Sequence, residues 1–490
     1  MNVYINPTLV NQINIKVAAM IALPHQERVS NRLAEEGTPG LIVYHGLGSG
    51  KTFTAINAAQ KQNLPLLAIV PASLRNNFNK EIESAKFPNP YKVISYEQAD
   101  KLKTDPKFLD FASNALVAYD EAALMGNYGT QRSFLANDIP AKKKLFLTGT
   151  PIRNGPHQLA PLLNALGGYQ IPTSESSFKD NFIEETKRPS TAIERFRGIK
   201  PGVEGVQLKN LDNLREALKN KVDYHESGQE NFPQTIEETI EVPMGEKQTD
   251  LYKSLVGKNP QMAYKIKYGI PPSKEEMSRF QAFSIGPRQI VNTTRNFDIE
   301  GATSESPKLD RAILEIQKRM KNNPEYRGVS YSNFLESGAL PLQKSLTEKG
   351  ISNAIFSGGI SDKNRQKIIN DYNSGKTKQL ILTSAGSQGL DLKNTRLVQL
   401  LDPHWNEAKM DQVQGRAVRY KSHEGLPVKD RTVEIQSFLS TDREKLNTIQ
   451  QYIQGKDYND SPTIDHYINT LSNQKQKTID KFLDEVKQSK

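Results

Sequence analysis

Cysteine is absent from the 490-residue chain, which excludes a disulfide framework, a thiolate zinc site and a cysteine nucleophile. The seven histidines form no H-E-x-x-H pair, so none reads as a zinc-hydrolase ligand. Tryptophan occurs once. Long apolar runs are missing too: the longest near-continuous one, Leu64 to Ala72, falls far short of the roughly 20 residues that span a bilayer. The apolar patch Val17 to Leu23 has no basic segment before it and no small-residue cleavage site after it, so no secretion signal is read. No internal repeat with a period of about 20 to 50 residues is visible. The expectation is an intracellular protein, in cytoplasm, nucleoid or nucleus, with no membrane partner.

What is present is a globular composition, 36% hydrophobic and 24% charged, above that of a disordered chain. Lys and Arg total 65 against 55 Asp and Glu, giving a formal charge of +10. An acidic partner would be attracted at long range, nucleic acid first. A merely solubilising lysine-rich surface would give the same number, so motifs must separate the two.

Short apolar runs alternate with helical stretches. Leu41 to Tyr44 precedes H-G-L-G-S-G and then a helical stretch from Lys51; Leu64 to Val70, Ala115 to Tyr119 and Lys144 to Leu147 repeat the pattern. Buried strands alternating with helices predict an α/β fold with a doubly wound parallel sheet. A polar stretch, about 167–231, reads as a helical insertion, and the alternation of Ile236, Ile240 and Val242 predicts a strand over Gln234 to Met244 that returns to the first sheet. Residues 1–244 are thus expected as a first lobe and 245–306 as a helical linker. A second α/β lobe over 307–440 has strands at Gly328, Asn353, Gln379, Leu397 and Thr432, and C-terminal helices follow over 441–490.

Three constellations carry chemistry. Gly46, Gly48 and Gly50 before Lys51 and Thr52 supply backbone N–H groups, a point charge and a hydroxyl for a triphosphate and its Mg²⁺. Gly48, Gly50, Lys51 and Thr52 are therefore candidate ATP ligands, with Lys51 expected on a solvent-facing loop. The strict phosphate-loop pattern is missed because His45 stands where its first glycine should be. Asp120 and Glu121 follow an apolar strand, where Asp120 can hold the metal with Thr52, and Glu121 can deprotonate the attacking water. Gln412 to Arg419 matches Q-x-x-G-R-x-x-R; Arg416 and Arg419, three apart, share a helical face and can touch one triphosphate. Gln412, Arg416 and Arg419 join Glu121 as catalytic candidates.

Together with L-T-G-T-P-I-R-N at Leu147 to Asn154, these blocks resemble a superfamily-two DNA-dependent ATPase of the Swi/Snf type, built from two RecA-like lobes with ATP in the cleft between them. The resemblance runs in family order from about Leu23 to His423. It implies adenine recognition by Gln26 within Leu23-Pro24-His25-Gln26, coupling by Thr148, Gly149 and Thr150, and nucleic-acid contacts from Pro71, Ala72, Ser73 and Arg75. In the second lobe it implies ATP contacts from Gly389 and Asp391 within A-G-S-Q-G-L-D-L, and nucleic-acid contacts from Ser384 and from Trp405 within D-P-H-W-N. One position departs: the family's D-E-A-H or D-E-G-H is here D-E-A-A, with Ala123 in place of the coupling histidine. The short form, and the tail from Ser461 through Phe482, are similar to those of the transcription-assisting ATPases of poxviruses and other large viruses, which implies a host-cell location, and a bacteriophage relative fits equally. The expected cofactors are ATP and Mg²⁺. The expected partner is double-stranded nucleic acid, DNA first, with transcription or replication machinery beyond it. The expected function is an ATP-driven translocase or remodeller. A strand-separating DNA or RNA helicase, and a nucleic-acid-binding scaffold with a weakened ATPase, remain as alternatives.

Overall fold

The computed structural model describes residues 22–488 except 47, 153–154, 188, 190, 197–202, 227–231, 274, 296, 298–303, 384–389, 405–414, 416–417, 419–421, 449 and 452–457. The chain divides into two compact units, one of residues 1–183, 208–227 and 481–490, the other of residues 184–207 and 228–480.

The first unit is built on six strands: β1 (Gly40–His45), β2 (Leu66–Val70), β3 (Tyr91–Ser95), β4 (Leu116–Asp120), β5 (Lys143–Thr148) and, after an excursion, β8 (Val222–His225). Their order is β3-β2-β4-β5-β1-β8, and every pairing is parallel. Leu41 to Val43, Leu66 to Val70 and Leu116 to Tyr119 are fully buried, as expected for parallel strands covered on both faces. Helices Pro24–Ala34 and Lys51–Lys61 close one face, placing Val29, Leu33, Ala55, Ile56 and Ala59 in the same core as Leu41, Ala68 and Leu145.

Two expectations are corrected here. The stretch 167–231 is more than a helical insertion: beside helices Glu175–Phe182 and Leu211–Leu218 it holds β6 (Ile183–Lys187) paired with β7 (Val203–Leu208), and then β8 itself. The second concerns β9 (Gln234–Pro243), which does not return to the first sheet. It forms a ten-residue parallel ladder with β14 (Thr432–Lys445) in the second unit. Alternation marks one buried face but carries no information about the partner; Ile240 and Val242 are buried with Ile313 and Phe438, whereas Ile236 is exposed.

The second sheet runs β11 (Asn353–Phe356), β12 (Gln379–Thr383), β10 (Gly328–Ser332), β13 (Leu397–Leu400), then β14, all parallel. Antiparallel β15 (Tyr458–Pro462) pairs with the far end of β14, so the stretch after 440 begins as strand, and Ile464–Gln488 is its long helix. Helices Glu246–Gly257, Pro260–Tyr268 and Met277–Ile290 are no loose linker: Tyr252, Met262, Phe280 and Ile290 form one core with Ile464, Tyr467 and Ile468.

A buried ion pair locks that arrangement. Lys308 and Asp465 are each 1% exposed, with Nζ donating to Oδ2 at 2.6 Å and also to Asn292 Oδ1 at 3.0 Å and Leu401 O at 3.2 Å. Asp465 accepts in addition from Ser440 N at 2.9 Å. Removing one member of such a pair strands the other charge in the interior. Lys308→Met is therefore expected to destabilise the second unit by about 3–5 kcal/mol, read as a lowered urea midpoint at unchanged slope; a loss under about 1 kcal/mol would mean the carboxylate finds water.

Candidate ATP site

The carboxyl ends of the first sheet converge on one edge. The loop after β1 is the glycine-rich one, and two of its glycines need their type: Gly48 and Gly50 have φ of 75° and 73°, the left-handed region that side chains resist. A Cβ on Gly50 would also come within 2.6 Å of Gln26 Nε2. Gly50 caps helix Lys51–Lys61, whose first N–H groups face the loop as an anion site. Thr52 is the second residue of that helix, half-buried.

Lys51 corrects an expectation. It is the first residue of the helix rather than a solvent-facing loop lysine, half-buried, with Nζ donating to the carbonyls of His45 and Gly46 at 3.1 Å each. Burial lowers the proton affinity of its ammonium, and the charges of Glu121 and Asp120 oppose that fall. Burial also pushes the Asp120 carboxyl up to about 6; Glu121 adds to the rise, and Lys51 and the Glu121 amide resist it. The two carboxylates and the ammonium are thus electrostatic neighbours, from strands two apart in the sheet order. Glu121 has φ of 52°, and its N–H donates to Asp120 Oδ1 at 3.0 Å. A left-handed backbone at a non-glycine residue is uncommon and gathers at functional sites.

Gln26 is buried in helix Pro24–Ala34, and its Nε2 donates to Ser49 O and Gly50 O, both at 3.2 Å. Thr148 is fully buried at the end of β5, and its Oγ1 accepts from Thr150 N at 3.1 Å; Gly149 is half-buried and Thr150 exposed. Pro71 follows β2, and Ala72 and Ser73 lie exposed in the single turn after it, ahead of half-buried Arg75. Gln26, the phosphate loop, Asp120, Glu121 and the threonine block therefore meet at one edge of a single unit. In the second unit Asp391 is exposed, with its carbonyl accepting from Asn373 Nδ2 at 3.0 Å. Ser384, Gly389, Trp405, Gln412, Arg416 and Arg419 lie outside the described residues, as do Arg153 and Asn154.

Sequence reasoning missed Tyr96. It follows β3, is buried, and its hydroxyl donates to the carbonyl of Asp120 at 2.7 Å, bracing the backbone that carries both carboxylates. The Ser95–Gln98 capping box marks the helix start, but nothing along the chain links Tyr96 to β4. Ala123 is buried beside an open pocket of about 310 Å³ that Asn127, Arg132 and Gln158 also line. Among the described residues no cluster of His, Asp and Glu forms a ready-made metal cage, and no helix is long and apolar enough to cross a membrane.

A parallel sheet whose phosphate loop and paired carboxylates share one edge has the arrangement that suits a nucleoside triphosphate. The SNF2-related domain matches residues 91–296, and the helicase conserved C-terminal domain matches residues 309–421. A protein of Acanthamoeba polyphaga mimivirus named as an ATP-dependent RNA helicase is 31% identical over 457 residues, covering 90% of this chain and 92% of its own. The termination factor NPH-I homolog of African swine fever virus is 24% identical, covering 84% of this chain and 70% of its own. Among solved structures, the Sulfolobus solfataricus SWI2/SNF2 ATPase core in complex with dsDNA is 18% identical, covering 89% of this chain and 92% of that one, with a TM-score of 0.34. The chain belongs to the SNF2-type family of superfamily-two helicases, and it is an ATP-hydrolysing enzyme.

Lys51→Ala is expected to abolish ATP hydrolysis, because the substitution removes the one ammonium facing Asp120 and Glu121 across the loop. Wild-type turnover by a folded Lys51→Ala protein, checked by phosphate release beside a thermal melt, would move the site elsewhere.

Proposed function

We propose that the chain is an Mg²⁺-ATP-driven translocase on double-stranded nucleic acid, DNA first. The observation that carries this is the shared edge: Gln26, Lys51, the Asp120–Glu121 pair and Thr148 come from four separate stretches and end in one place. The net charge of +10 suits a polyanion, and the sequence holds no base-reading module such as a zinc finger. Binding would then follow the phosphate backbone with little regard to base identity. Such work belongs inside a cell, and transcription or replication machinery is the natural recruiting partner.

The donor set fits Mg²⁺, a hard cation that takes oxygen ligands and keeps several waters. Asp120 would hold it with Thr52, and the metal would neutralise charge on the transferring phosphoryl group. Asp120 offers a half-buried carboxylate whose ionised form a cation would favour. Glu121 orients the attacking water and takes its proton. Pro71, Ala72, Ser73 and Arg75 lie at the same edge and suit contacts to a phosphate backbone, with Ser384 and Trp405 contributing from the second unit. By the family resemblance Gly389 and Asp391 would add ATP contacts, Arg416 and Arg419 would supply charge to the transition state, and Gln412 would add an amide beside them. The mimivirus relative's name favours RNA instead, so a strand-separating RNA helicase is the second reading.

Phosphate release with double-stranded DNA, single-stranded DNA and RNA decides between them: the proposal expects the largest stimulation from duplex DNA, and RNA alone as activator would replace it. Duplex affinity should fall with salt, log K by roughly 0.9 per phosphate neutralised for each decade; a flat response would leave the charge a solubilising one. Glu121→Gln should lower turnover by roughly 10²–10⁴ with ATP still bound, and Arg416→Ala or Arg419→Ala by roughly 10³–10⁵. Parental rates in both arginine variants would mean the second unit is not catalytic. Ala123→His should raise stimulation by nucleic acid if the missing imidazole loosens coupling.

A further inference from the structure

The histidine that replaces the first glycine of the phosphate loop has a dedicated partner. His45 ends β1 fully buried, and its Nε2 lies 2.7 Å from Oδ1 of Asp223, a carboxylate 1% exposed on β8. Asp223 stands opposite Val43 in the parallel register, which makes it the diagonal neighbour of His45 on the same face. Its two oxygens accept from Arg28 Nε at 2.9 Å, Arg28 Nη2 at 2.8 Å and Arg32 Nη1 at 3.1 Å as well. Both arginines lie on helix Pro24–Ala34, which also carries Gln26, and each also donates to a carbonyl of β8: Arg28 to Tyr224 O at 2.9 Å, Arg32 to Val222 O at 2.7 Å.

The direction of these bonds fixes the state of His45. A carboxylate partner makes Nε2 the protonated nitrogen, so Nδ1 is the acceptor, and Nδ1 is buried without a donor among the described residues. A proton added there would have nowhere to donate. Burial works the same way, lowering the imidazole's proton affinity against the pull of Asp223. The ring is therefore a neutral donor aimed along the sheet.

The backbone of His45 completes the path. Its carbonyl is one of the two that hold Lys51 Nζ. The next N–H, of Gly46, donates to His225 O at 3.0 Å, so β8 grips the loop at its first residue too. The His225 ring stacks on His25 at 3.9 Å between centroids, and His25 Nε2 lies 2.8 Å from Ser49 O on the far side of the loop.

A glycine at position 45 would have no side chain to place. An imidazole bonded to Asp223 instead ties the end of β1, whose carbonyl holds Lys51, to β8. We infer that Asp223 is the positioning residue of the nucleotide site: by fixing the His45 ring it holds the phosphate loop, and through Arg28 and Arg32 it fixes the Gln26 helix to the same point. The inference rests on the reading of this loop as the ATP site.

The test is nucleotide affinity, kcat and KM for ATP in Asp223→Asn, His45→Ala, His45→Gln and the Asp223→Asn/His45→Ala double variant, each with a thermal melt. Asp223→Asn and His45→Ala should each raise the Kd for ADP and the KM for ATP by roughly tenfold with kcat changed far less. His45→Gln keeps an amide donor for the carboxylate and should stay within about threefold of the parent. The double variant should be no worse than Asp223→Asn alone, since that substitution already breaks the His45 link. If Asp223→Asn does not fold, the His45→Ala and His45→Gln pair reads the same link. Lowered melting temperatures with unchanged Kd and KM in all variants would make Asp223 purely structural and overturn the inference; an additive double variant would show that His45 acts without Asp223, overturning it as well. Lys51→Ala separates the two levels: retained ADP binding there would sink the ATP-site reading itself, whereas its loss beside normal binding in the Asp223 and His45 variants would sink only this inference.

Discussion

Every strand pairing of the first sheet is parallel, and that single constraint places the chemistry. Parallel strands need crossovers, so every strand ends at the same edge and each crossover starts there. His45, Val70, Ser95, Asp120, Thr148 and His225 are the six strand ends, and the first unit's candidate residues other than Gln26 lie at or just after them. The same alignment buries the edge beneath its crossovers. Burial then acts in opposite senses on Lys51 and Asp120, disfavouring the charged form of both, while their mutual attraction restores part of it.

The second unit solves a different problem, that of register in a sheet whose strands come from distant parts of the chain. A row of buried polar side chains crosses it: Gln379 Nε2 donates to Ser330 Oγ at 2.8 Å, Ser330 Oγ to Gln399 Oε1 at 3.0 Å, and Gln399 Nε2 to Gln436 Oε1 at 3.3 Å. Tyr326 at one end and Glu238 at the other carry the row from β12 to β9. Slipping any strand by one residue would turn its member to the opposite face and leave its neighbours unpaired in the interior. The row therefore selects one alignment among several that an apolar sheet would tolerate. Lys308 and Asp465 do the same for the helices behind it.

Much of this was legible along the chain because it is local. Strand, glycine turn and helix follow one another within some twenty residues around Lys51, and Asp120 and Glu121 close an apolar run, so the phosphate loop and the carboxylates announce themselves from neighbours in sequence. Partners distant in sequence did not. The alternation in Gln234 to Met244 revealed a strand and concealed its sheet, and Tyr96 sits in an ordinary helix start. Val222 to His225 lay hidden in a polar stretch, because an edge strand reading Val-Asp-Tyr-His has no apolar run to display.

The sequence by itself determined the class: alternating buried strands and helices, a triphosphate loop with one irregular position, a carboxylate pair, an arginine motif and a basic surplus. Those are properties of residue type and near spacing, which the chain carries whether folded or not. Tertiary structure alone decided what answers the irregular position. His45 and Asp223 are 178 residues apart, and only the pairing of β8 with β1 brings them into hydrogen-bond reach. That pairing also puts the carboxylate where water is excluded, and there it demands its full set of donors. Arg28 and Arg32 answer that demand from the helix that carries Gln26.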